Sequence, residues 1–382
     1  MENIYCICCN NVMDYFLILS ETNSINVCNN CFHLQKSEML INDFRKLVHY
    51  DEVKYMKFIL KIINRYKNNY KINILNINDN DTNLLDTLLT NMINIIGIPK
   101  TYIKTVSLSL NFKPSYFSKH KCYRDTLCER SIEYLKTDYN SFDIIILNTT
   151  LLTTGNPNEI LTMCKDLCDL NTNIFVINYH SMNPIDYLVI DKFAKNLFTT
   201  NSLKRLCTNN GFELDDVQTD NDNNNNYIFY KISVGKRDKV SQNIVSLLYD
   251  EMNINVYNIE EYYRTNKEWY NILYETNKIL DRYKLNKYEI IYISRCKCCE
   301  GDNFLYNNNK INYKINDVIK LHEIIIKNIN KNINKNKKFM FIIFNLDEYD
   351  LKNILSKIKI NDMKYLIYDI KNLITNPINV SD

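Results

Sequence analysis

The segment "KINILNI" at residues 71–77 is a run of apolar residues that predicts a buried β-strand. It is followed at residues 82–93 by "TNLLDTLLTNMI", in which the apolar residues recur at helical spacing. A strand followed by a helix is the unit from which parallel sheets are built. This pair of elements therefore indicates an α/β fold.

The same alternation continues along the chain. Further strands are predicted at "NIIGI" (94–98), "FDIIILN" (142–148), "NIFVINY" (173–179) and "YIFYKISV" (227–234). Further helices are predicted at "NEILTMCKDLCDL" (158–170) and "NSLKRLCTNNGFEL" (201–214), the latter closing on Gly211. The pattern predicts a mostly parallel sheet with helices on both faces. Ligands of such sheets bind at the carboxyl ends of the strands.

A second series of strands and helices follows a helical stretch at residues 239–285. Its strands are predicted at 288–294, 338–345 and 364–370, and its helices at 315–329 and 350–358. This order indicates a second, C-terminal α/β domain. Two further helices are predicted between Ser37 and Tyr70.

The N-terminal segment carries two cysteine pairs. Cys6, Cys9, Cys28 and Cys31 form the pattern C-x2-C-x18-C-x2-C, which is typical of a tetrahedral zinc site. Four thiolates close the coordination sphere, so the metal would be structural and would have no open position for a catalytic water. Such a site contributes about 10–16 kcal/mol of apparent binding free energy to folding. The alternative is a set of reduced thiols in a small core.

Cys8, His33 and a second cysteine cluster also have side chains that could bind a metal. Cys8 lies between the first pair and could replace Cys9 as a ligand. His33 is predicted to be exposed, or to lie beside the metal ligands without binding the ion. A second cluster comprises Cys296, Cys298 and Cys299. Three thiols in four residues do not reach one tetrahedral ion easily, so these are predicted to be small packed residues.

The composition limits the class of protein. The chain has 382 residues, 46% of them hydrophobic and 24% charged, which suits two or three domains. The apolar runs are shorter than the roughly 20 residues that a membrane helix needs, and no secretory signal is apparent, so a cytoplasmic location is expected. Thirteen cysteines, an odd number, then favour reduced thiols or metal ligands over disulfides.

The charge and residue usage are less informative. A net charge of +3, with Lys and Arg scattered among Asp and Glu, does not favour nucleic acid as a partner. Asn, Ile, Lys and Tyr are heavily used while Gly and Pro number five each. This usage is typical of an AT-rich genome, such as that of a large DNA virus or of some protists.

Several motifs together resemble one family. The ribbon halves "CICC" (6–9) and "CNNCFHLQ" (28–35), the loop "NINDNDTNLL" (76–85), the segment "FDIIILNTTLLTTGNPNEIL" (142–161) and the segment "LFTTNSLKRLCTNNGFELDDV" (197–217) carry the likeness. They are similar to S-adenosylmethionine-dependent C-methyltransferases that act on nucleotide-linked deoxysugars. The resemblance covers nearly the whole chain, and the ribbon is its most specific part.

The resemblance implies a domain order and a cofactor. The domains would be a zinc ribbon (1–36), a helical connection (37–70), a Rossmann-like methyltransferase domain (71–236), a second helical connection (237–286) and a C-terminal α/β domain (287–382). S-adenosylmethionine would be the cofactor, and a nucleotide-linked sugar the substrate. The residues that would line the cofactor site are Asn76, Asn78, Asn80, Asp81, Thr82 and Asn148.

The departures from the family fall on the cofactor loop and its neighbourhood. Asn78 and Thr82 stand where the family has glycines, which allow left-handed backbone and close approach to a ligand. Asn76 replaces the acid that opens the motif. The acid expected after the second strand is also missing, because Pro99 and Lys100 occupy that region.

The family's acid-base residues are absent as well. They align with Phe193, Ala194 and Leu197, none of which can transfer a proton.

Three functional hypotheses remain open at this point. The first is an active methyltransferase, for which His180 at the end of a predicted strand is a candidate base, although a solvated loop histidine is the plainer reading. The second is an inactive homologue that acts as a binding or scaffold protein. The third is a zinc-ribbon nucleic-acid-binding factor, for which the Lys-rich segment 325–339 could contact phosphates, although it also suits a solvated helix face. The oligomeric state has no sequence signal.

Overall fold

A computed structural model describes most of the N-terminal two thirds of the chain. The described residues are 4–18, 24–37, 52–63, 71–77, 83–96, 98–109, 120–179, 194–220, 227–235, 241–285, 288–294, 338–344 and 363–368. They divide into two compact units. The first unit lies within Met1–Met182 and Phe193–Ile259, and most of the second lies within Glu260–Asp382.

The strands and helices of the first unit follow the predicted alternation. Its strands are β1 (Met13–Ile18), β2 (Ser24–Cys28), β3 (Leu34–Lys36), β4 (Ile72–Ile77), β5 (Ile103–Leu108), β6 (His120–Tyr123), β7 (Ile144–Leu147), β8 (Asn173–Tyr179), β9 (Asn196–Leu197), β10 (Phe212–Asp220) and β11 (Tyr227–Val234). Its helices are α1 (Glu52–Ile63), α2 (Asn83–Asn91), α3 (Glu129–Asp138), α4 (Thr150–Thr153), α5 (Pro157–Lys165), α6 (Thr200–Asn209) and α7 (Gln242–Asn253).

Seven of these strands form the central sheet, in the order β10-β11-β8-β7-β4-β5-β6. The pairs from β8 through β6 are parallel, whereas β11 is antiparallel to both β8 and β10. Strands of this kind need crossover connections, which the intervening helices provide. The prediction of a mixed α/β fold with a parallel sheet is therefore confirmed.

Both faces of the sheet are buried. Ile72 and Ile74 of β4 point into a core with α1 and α2, while Leu75 and Ile77 point into a second core with α5 and α6. Alternate side chains of a strand face opposite sides of its sheet, so a strand buried on both sides has to be apolar at nearly every position. This requirement explains why β4, β7 and β8 are visible in the sequence as continuous apolar runs.

One predicted strand is wrong. Residues 94–96 do not form a strand, because α2 continues as a π-helical turn over Met92–Ile96 in which Met92 and Ile96 are buried. The backbone N–H of Ile98 bonds the carbonyl of Met92 at 3.2 Å and closes this turn. The second strand of the parallel sheet is β5, which was not predicted. Its three polar residues, Lys104, Thr105 and Ser107, hide it from a search for apolar runs.

The helix predicted at 201–214 is too long. It ends at Asn209, and Gly211, with φ +79°, turns the chain directly into β10. Glycine suits this position because left-handed backbone has no steric cost for a residue without a Cβ atom. The acidic strand β10, the short strands β6 and β9, and helix α3 also had no predicted counterpart.

The N-terminal ribbon is a small antiparallel sheet. Its strand order is β1-β2-β3, and β9 of the central region joins it as a fourth strand next to β3. The ribbon is therefore hydrogen-bonded to the α/β part of the same unit.

The second unit contains α8 (Ile259–Leu285) and a parallel sheet of β12 (Tyr288–Ser294), β13 (Lys338–Phe344) and β14 (Met363–Tyr368). These strands match the predicted ones. The helices predicted at 315–329 and 350–358 lie outside the described residues, as do Cys296, Cys298 and Cys299. The domain boundaries inferred from the resemblance stay a prediction. Within the described part of the chain, no helix has the length and apolarity that crossing a membrane requires.

A buried ion pair gives a test of the central sheet. The Nζ atom of Lys231 lies 3.0 Å from Oδ2 of Asp215, and the two side chains are only 4% and 5% exposed. Asp215 sits where the β10–β11 register shifts. Lys231→Met would leave the carboxylate buried without its cation, so we expect a loss of about 3–5 kcal/mol in urea unfolding. The double variant, with Lys231→Met and Asp215→Leu together, should recover most of this loss. A double variant as unstable as Lys231→Met alone would contradict the pairing.

Candidate ligand-binding site and candidate metal centre

The sheet changes direction between β4 and β7. From β4 the chain moves outward through β5 and β6, then returns to β7 and continues in the opposite direction to β8. Ile77 at the end of β4 pairs with Leu147 at the end of β7. In open α/β sheets, ligands bind in the crevice outside the carboxyl ends of the strands at such a switch point. The candidate ligand site is therefore the crevice beyond Ile77 and Leu147.

The loop that leaves β7 shapes this crevice. Thr149 adopts φ +55°, an unusual conformation for a β-branched residue, and turns the chain away from the sheet into α4. The backbone N–H of Asn148 bonds the carbonyl of Ile77 at 3.3 Å, and the Thr150 hydroxyl bonds the same carbonyl at 3.4 Å. The ends of the two strands are thus tied together by the residues that follow β7.

Two buried polar side chains lie next to each other near this end of the sheet. Asn76 of β4 is fully buried, and neither its amide nitrogen nor its amide oxygen has a hydrogen-bond partner among the described residues. Ser107 of β5 lies opposite Asn76 in the parallel pairing of the two strands. The buried hydroxyl of Ser107 also has no hydrogen-bond partner among the described residues. An unsatisfied buried polar group costs about 1–3 kcal/mol, so such a pair suits a place where a ligand or water supplies the missing hydrogen bonds.

A third unpartnered side chain lies on the other side of the switch point. Asn178 of β8 is fully buried, and its amide has no partner in the described part of the chain. The last β7–β8 pair is Leu147 with Val176, so Asn178 extends beyond the end of β7. Its side chain shares the face of Val176, which is opposite to the face of Asn76. Polar groups without partners therefore occur on both sides of the crevice.

The structure gives a mixed outcome for the predicted site residues. Asn76 and Asn148 both lie at the crevice. Asn78, Asn80, Asp81, Thr82 and His180 lie outside the described residues. Sequence reasoning missed Ser107 and Asn178. The only signal was a single polar residue within each strand, which does not distinguish a ligand-binding residue from an ordinary one.

The position of the missing acid needs correction. Because the second parallel strand is β5, the residue that follows it is Ser109 rather than the region of Pro99 and Lys100. The backbone N–H of Ser109 bonds the carbonyl of Tyr123 at 3.1 Å. The sequence from 109 to 119 contains no Asp or Glu, so the family's acid is absent from this segment too.

The four predicted metal ligands come together in the ribbon. The thiol sulfur atoms of Cys6, Cys9, Cys28 and Cys31 all lie within 4.8 Å of one another. The closest pairs are Cys6 with Cys31 at 3.5 Å and Cys9 with Cys28 at 3.4 Å. In a tetrahedral zinc site with bonds of about 2.3 Å, the sulfur atoms are about 3.8 Å apart. The donor set and its spacing therefore fit one zinc ion.

Two equivalent backbone turns present these thiols. In the first, the N–H of Asn10 bonds the carbonyl of Cys6 at 2.8 Å, and in the second the N–H of Phe32 bonds the carbonyl of Cys28 at 2.8 Å. Asn10 and Phe32 have φ of +60° and +59°. Each pair of cysteines is thus followed by a left-handed residue, and the two turns project their thiols toward one point.

Hydrogen bonding within the thiol cluster shifts the pKa values of its members in opposite directions, since those of Cys28 and Cys31 are raised. Hydrogen bonds from the thiols of Cys28 and Cys31 lower the pKa of Cys6, which favours its thiolate form. Cys8 is buried, and burial raises its pKa well above the ordinary range, so it remains a neutral thiol. The four-thiol cluster does not include Cys8.

Of the two alternatives predicted for His33, exposure is wrong, and the four-thiol cluster does not include this residue. Its ring is fully buried and stacks on Phe198 with the ring centroids 4.7 Å apart. Its Nδ1 atom lies 2.9 Å from the carbonyl of Leu197, and burial lowers its pKa, so the ring is neutral and donates to this carbonyl. His33 therefore joins the ribbon to β9.

Neither protein-family models nor curated proteins gave a match for the chain. Solved structures do match, and three of them are methyltransferases. CalO1, a methyltransferase in calicheamicin biosynthesis with SAH bound, is 14% identical with a TM-score of 0.33, and the match covers 48% of this chain and 54% of CalO1. The CurJ carbon methyltransferase is 12% identical with a TM-score of 0.37 over 48% of this chain and 54% of CurJ.

A third similar structure is the Burkholderia thailandensis 1,6-didemethyltoxoflavin-N1-methyltransferase with S-adenosylhomocysteine bound. It is 9% identical with a TM-score of 0.35, and the match covers 57% of this chain and 98% of that protein. The chain thus spans about half the length of CalO1 and CurJ, and the overlaps are partial. The fold assignment rests on the strand order of the chain's own sheet, and these similarities carry no argument about its activity.

The unpartnered amide of Asn76 leads to a stability prediction. Asn76→Leu replaces a buried polar group by an apolar one of similar size, so we expect the free energy of unfolding to rise by about 1–3 kcal/mol. The matched control is Asn73→Leu on the same strand, because the Asn73 amide donates to the carbonyl of Ser141 at 3.2 Å. The control should lower stability. Thermal or urea unfolding measures both, and destabilisation by Asn76→Leu would mean that Asn76 has a partner in the free protein.

Proposed function

We propose that the chain is a divergent S-adenosylmethionine-dependent methyltransferase-like protein that binds this cofactor at the β4–β7 crevice. The observation that carries the proposal is the buried, unpartnered amide of Asn76 at the switch point of the sheet. Asn76 is also the residue that aligns with the acid of the family's cofactor loop. The strand order, the position of Asn76 and its unpartnered amide therefore support this proposal.

The residues of this crevice suit a ligand with several polar groups. The Asn76 amide offers one donor group and one acceptor, and the Ser107 hydroxyl beside it offers both. The loop residues Asn78, Asn80, Asp81 and Thr82 and the residue Asn148 complete the set that the resemblance assigns to the cofactor. S-adenosylmethionine, when bound, supplies a methyl group on a positively charged sulfur. The protein would bind and orient the cofactor and its acceptor.

The acceptor is proposed from the resemblance alone. Nucleotide-linked sugars are the substrates of the family that the motifs resemble, and a sugar of this kind is the first acceptor to test. His180 remains the candidate base, since it follows β8 directly in the sequence.

A second candidate function is cofactor binding without methyl transfer. It is favoured by the positions of Ala194 and Leu197, which align with the family's acid-base residues. Both are buried, and Leu197 pairs with Leu34 of the ribbon in the small sheet. Leu197 thus takes part in the pairing of β9 with the ribbon. The nucleic-acid hypothesis has no such observation, because residues 325–337 of the Lys-rich segment lie outside the described part of the chain.

We also propose that the ribbon holds one structural zinc ion through Cys6, Cys9, Cys28 and Cys31. The support is the approach of four thiol sulfur atoms to tetrahedral spacing on two matching backbone turns. Four thiolates leave no position for a substrate or water. The metal would therefore contribute to folding and not to the reaction.

Calorimetry tests cofactor binding. We expect the wild-type protein to bind S-adenosylmethionine and S-adenosylhomocysteine with micromolar affinity. Asn76→Leu should weaken both by about tenfold or more, since the loss of a hydrogen bond to a bound ligand costs about 1–2 kcal/mol. Asn73→Leu, on the same strand but at its amino end, should bind like the wild type. Absence of binding at millimolar ligand would contradict the proposal.

The two candidate functions differ in a transfer assay. Protein is incubated with S-adenosylmethionine carrying a labelled methyl group and with a panel of nucleotide-linked sugars. Label in a sugar, transferred more slowly by Asn76→Leu at a cofactor concentration below saturation, would support the methyltransferase. Tight cofactor binding without label transfer to any member of the panel would favour the binding protein.

Metal analysis tests the ribbon. We expect about one zinc ion per chain in the purified protein, as for other four-cysteine sites. Cys28→Ser should lose the metal and unfold at lower temperature, because the metal contributes free energy to folding. Cys122→Ser, at a half-buried cysteine of β6, is the control and should keep the zinc. Zinc well below this level, unchanged by Cys28→Ser, would rule out the site.

A further inference from the structure

Strand β9 lies between the candidate metal centre and the candidate ligand crevice. On one side it pairs with the ribbon strand β3, with Leu34 opposite Leu197 and Gln35 opposite Asn196. The pairing is extended by a bond from the N–H of Lys36 to the carbonyl of Lys195 at 3.0 Å. The position of β9 is therefore set by the ribbon.

The second cysteine turn of the ribbon contacts this strand and the residue that caps the next helix. The hydroxyl of Thr199 donates to the carbonyl of Cys31 at 3.0 Å, and the His33 ring donates to the carbonyl of Leu197 at 2.9 Å. Thr199 also accepts from the N–H of Ser202 and begins α6. A residue that is a metal ligand in the proposed site is thus hydrogen-bonded directly to the segment that carries β9.

On its other side, β9 holds the turn that follows β7. The side-chain nitrogen of Asn196 donates to the carbonyl of Leu151 at 3.0 Å and to the carbonyl of Thr154 at 2.7 Å. The N–H of Lys195 bonds the carbonyl of Leu152 at 2.8 Å. Asn196 is only 1% exposed, and both hydrogens of its amide are used. It therefore fixes both ends of the single helical turn α4.

The turn α4 in turn fixes the edge of the crevice. Thr150, its first residue, donates its hydroxyl to the carbonyl of Ile77, which directly follows Asn76. The strained residue Thr149 immediately precedes this turn and needs support from its surroundings to keep φ +55°. A continuous series of contacts thus leads from Cys31 through β9, Asn196 and α4 to the end of β4.

We propose that the metal-loaded ribbon controls the ligand affinity of the crevice, and that Asn196 is the positioning residue through which this coupling passes. Without metal, the turn at Cys31 loses its anchor, β3 no longer holds β9, and Asn196 no longer fixes α4 beside the end of β4. Asn196 does not itself contact the ligand in this scheme. The binding readout of this inference rests on the proposed cofactor site, whereas the ordering of α4 does not.

The test combines metal content, ligand affinity and hydrogen exchange. Four proteins are compared: wild type, Asn196→Leu, Cys28→Ser and the double variant. The ligand probe is S-adenosylhomocysteine, measured by calorimetry. Amide exchange is followed at Leu152 and Thr154, whose N–H groups bond Thr149 and Thr150 carbonyls within the turn. The matched control is Asn173→Ala, another buried asparagine, whose amide donates to the carbonyl of Asn171 at 3.0 Å.

The coupling predicts a specific pattern. Asn196→Leu should keep the zinc content of the wild type, yet bind the probe about tenfold more weakly, as for a coupling free energy of about 1.4 kcal/mol. It should also exchange faster at α4. Cys28→Ser should lose zinc and show the same two changes, and the double variant should be no weaker than the worse single variant. The control should match the wild type in all three measurements.

Chelation provides the same test without a substitution. Wild-type protein stripped of zinc should bind the probe more weakly and exchange faster at α4, and zinc addition should restore both. Unchanged exchange at Leu152 and Thr154 after metal removal would overturn the proposal, even where a variant fails to fold. If the wild type does not bind the probe but its α4 exchange responds to zinc, the ordering of α4 by the metal stands and the proposed cofactor site fails.

Discussion

The parallel pairing of β4 with β5 on one side and β7 on the other is the constraint on which the rest of the structure depends. It places a strand in the middle of the sheet that is buried on both faces, and it makes the chain reverse its direction of travel across the sheet at that strand. The reversal leaves a crevice at the carboxyl ends of β4 and β7. A polar side chain in this strand is costly, and Asn76 is retained there without a partner in the described protein. The cost is understandable if the crevice exists to hold a ligand.

The ribbon is hydrogen-bonded through β9 to the unit that contains this sheet. Its three strands enclose too little apolar surface to be stable alone, and a four-thiolate metal site is the usual way for so small a segment to hold one conformation. The ribbon in turn provides the edge on which β9 forms, and β9 supports the turn after β7. The backbone of Phe32 is left-handed, and its ring packs against the ring of Tyr257 with the centroids 5.6 Å apart. In the proposed scheme, a metal ion would stabilise the ribbon and, through β9, would support the end of the sheet.

The extent to which the sequence predicted this structure follows from how each element is buried. Strands such as β8 face helices on both sides and are apolar throughout, so they were found. The edge strand β10 is rich in acids and half of the residues of β5 are polar, so neither gives an apolar run. The run at 94–98 was misread because a buried helical turn and a short buried strand have the same composition. At the two candidate sites, the cysteines and Asn76 could be predicted because they belong to sequence motifs. Ser107 is defined only by its neighbour across the strands, which no local pattern records.

We propose above all that the crevice at the ends of β4 and β7 holds a nucleoside cofactor through the buried amide of Asn76. A crystal structure of the zinc-loaded protein grown with S-adenosylhomocysteine tests it most directly. We predict density for the ligand beyond Ile77 and Leu147, with a polar ligand atom within hydrogen-bond distance of the Asn76 amide. A ligand bound elsewhere, or an empty crevice at saturating concentration with Asn76 still unpartnered, would contradict the account.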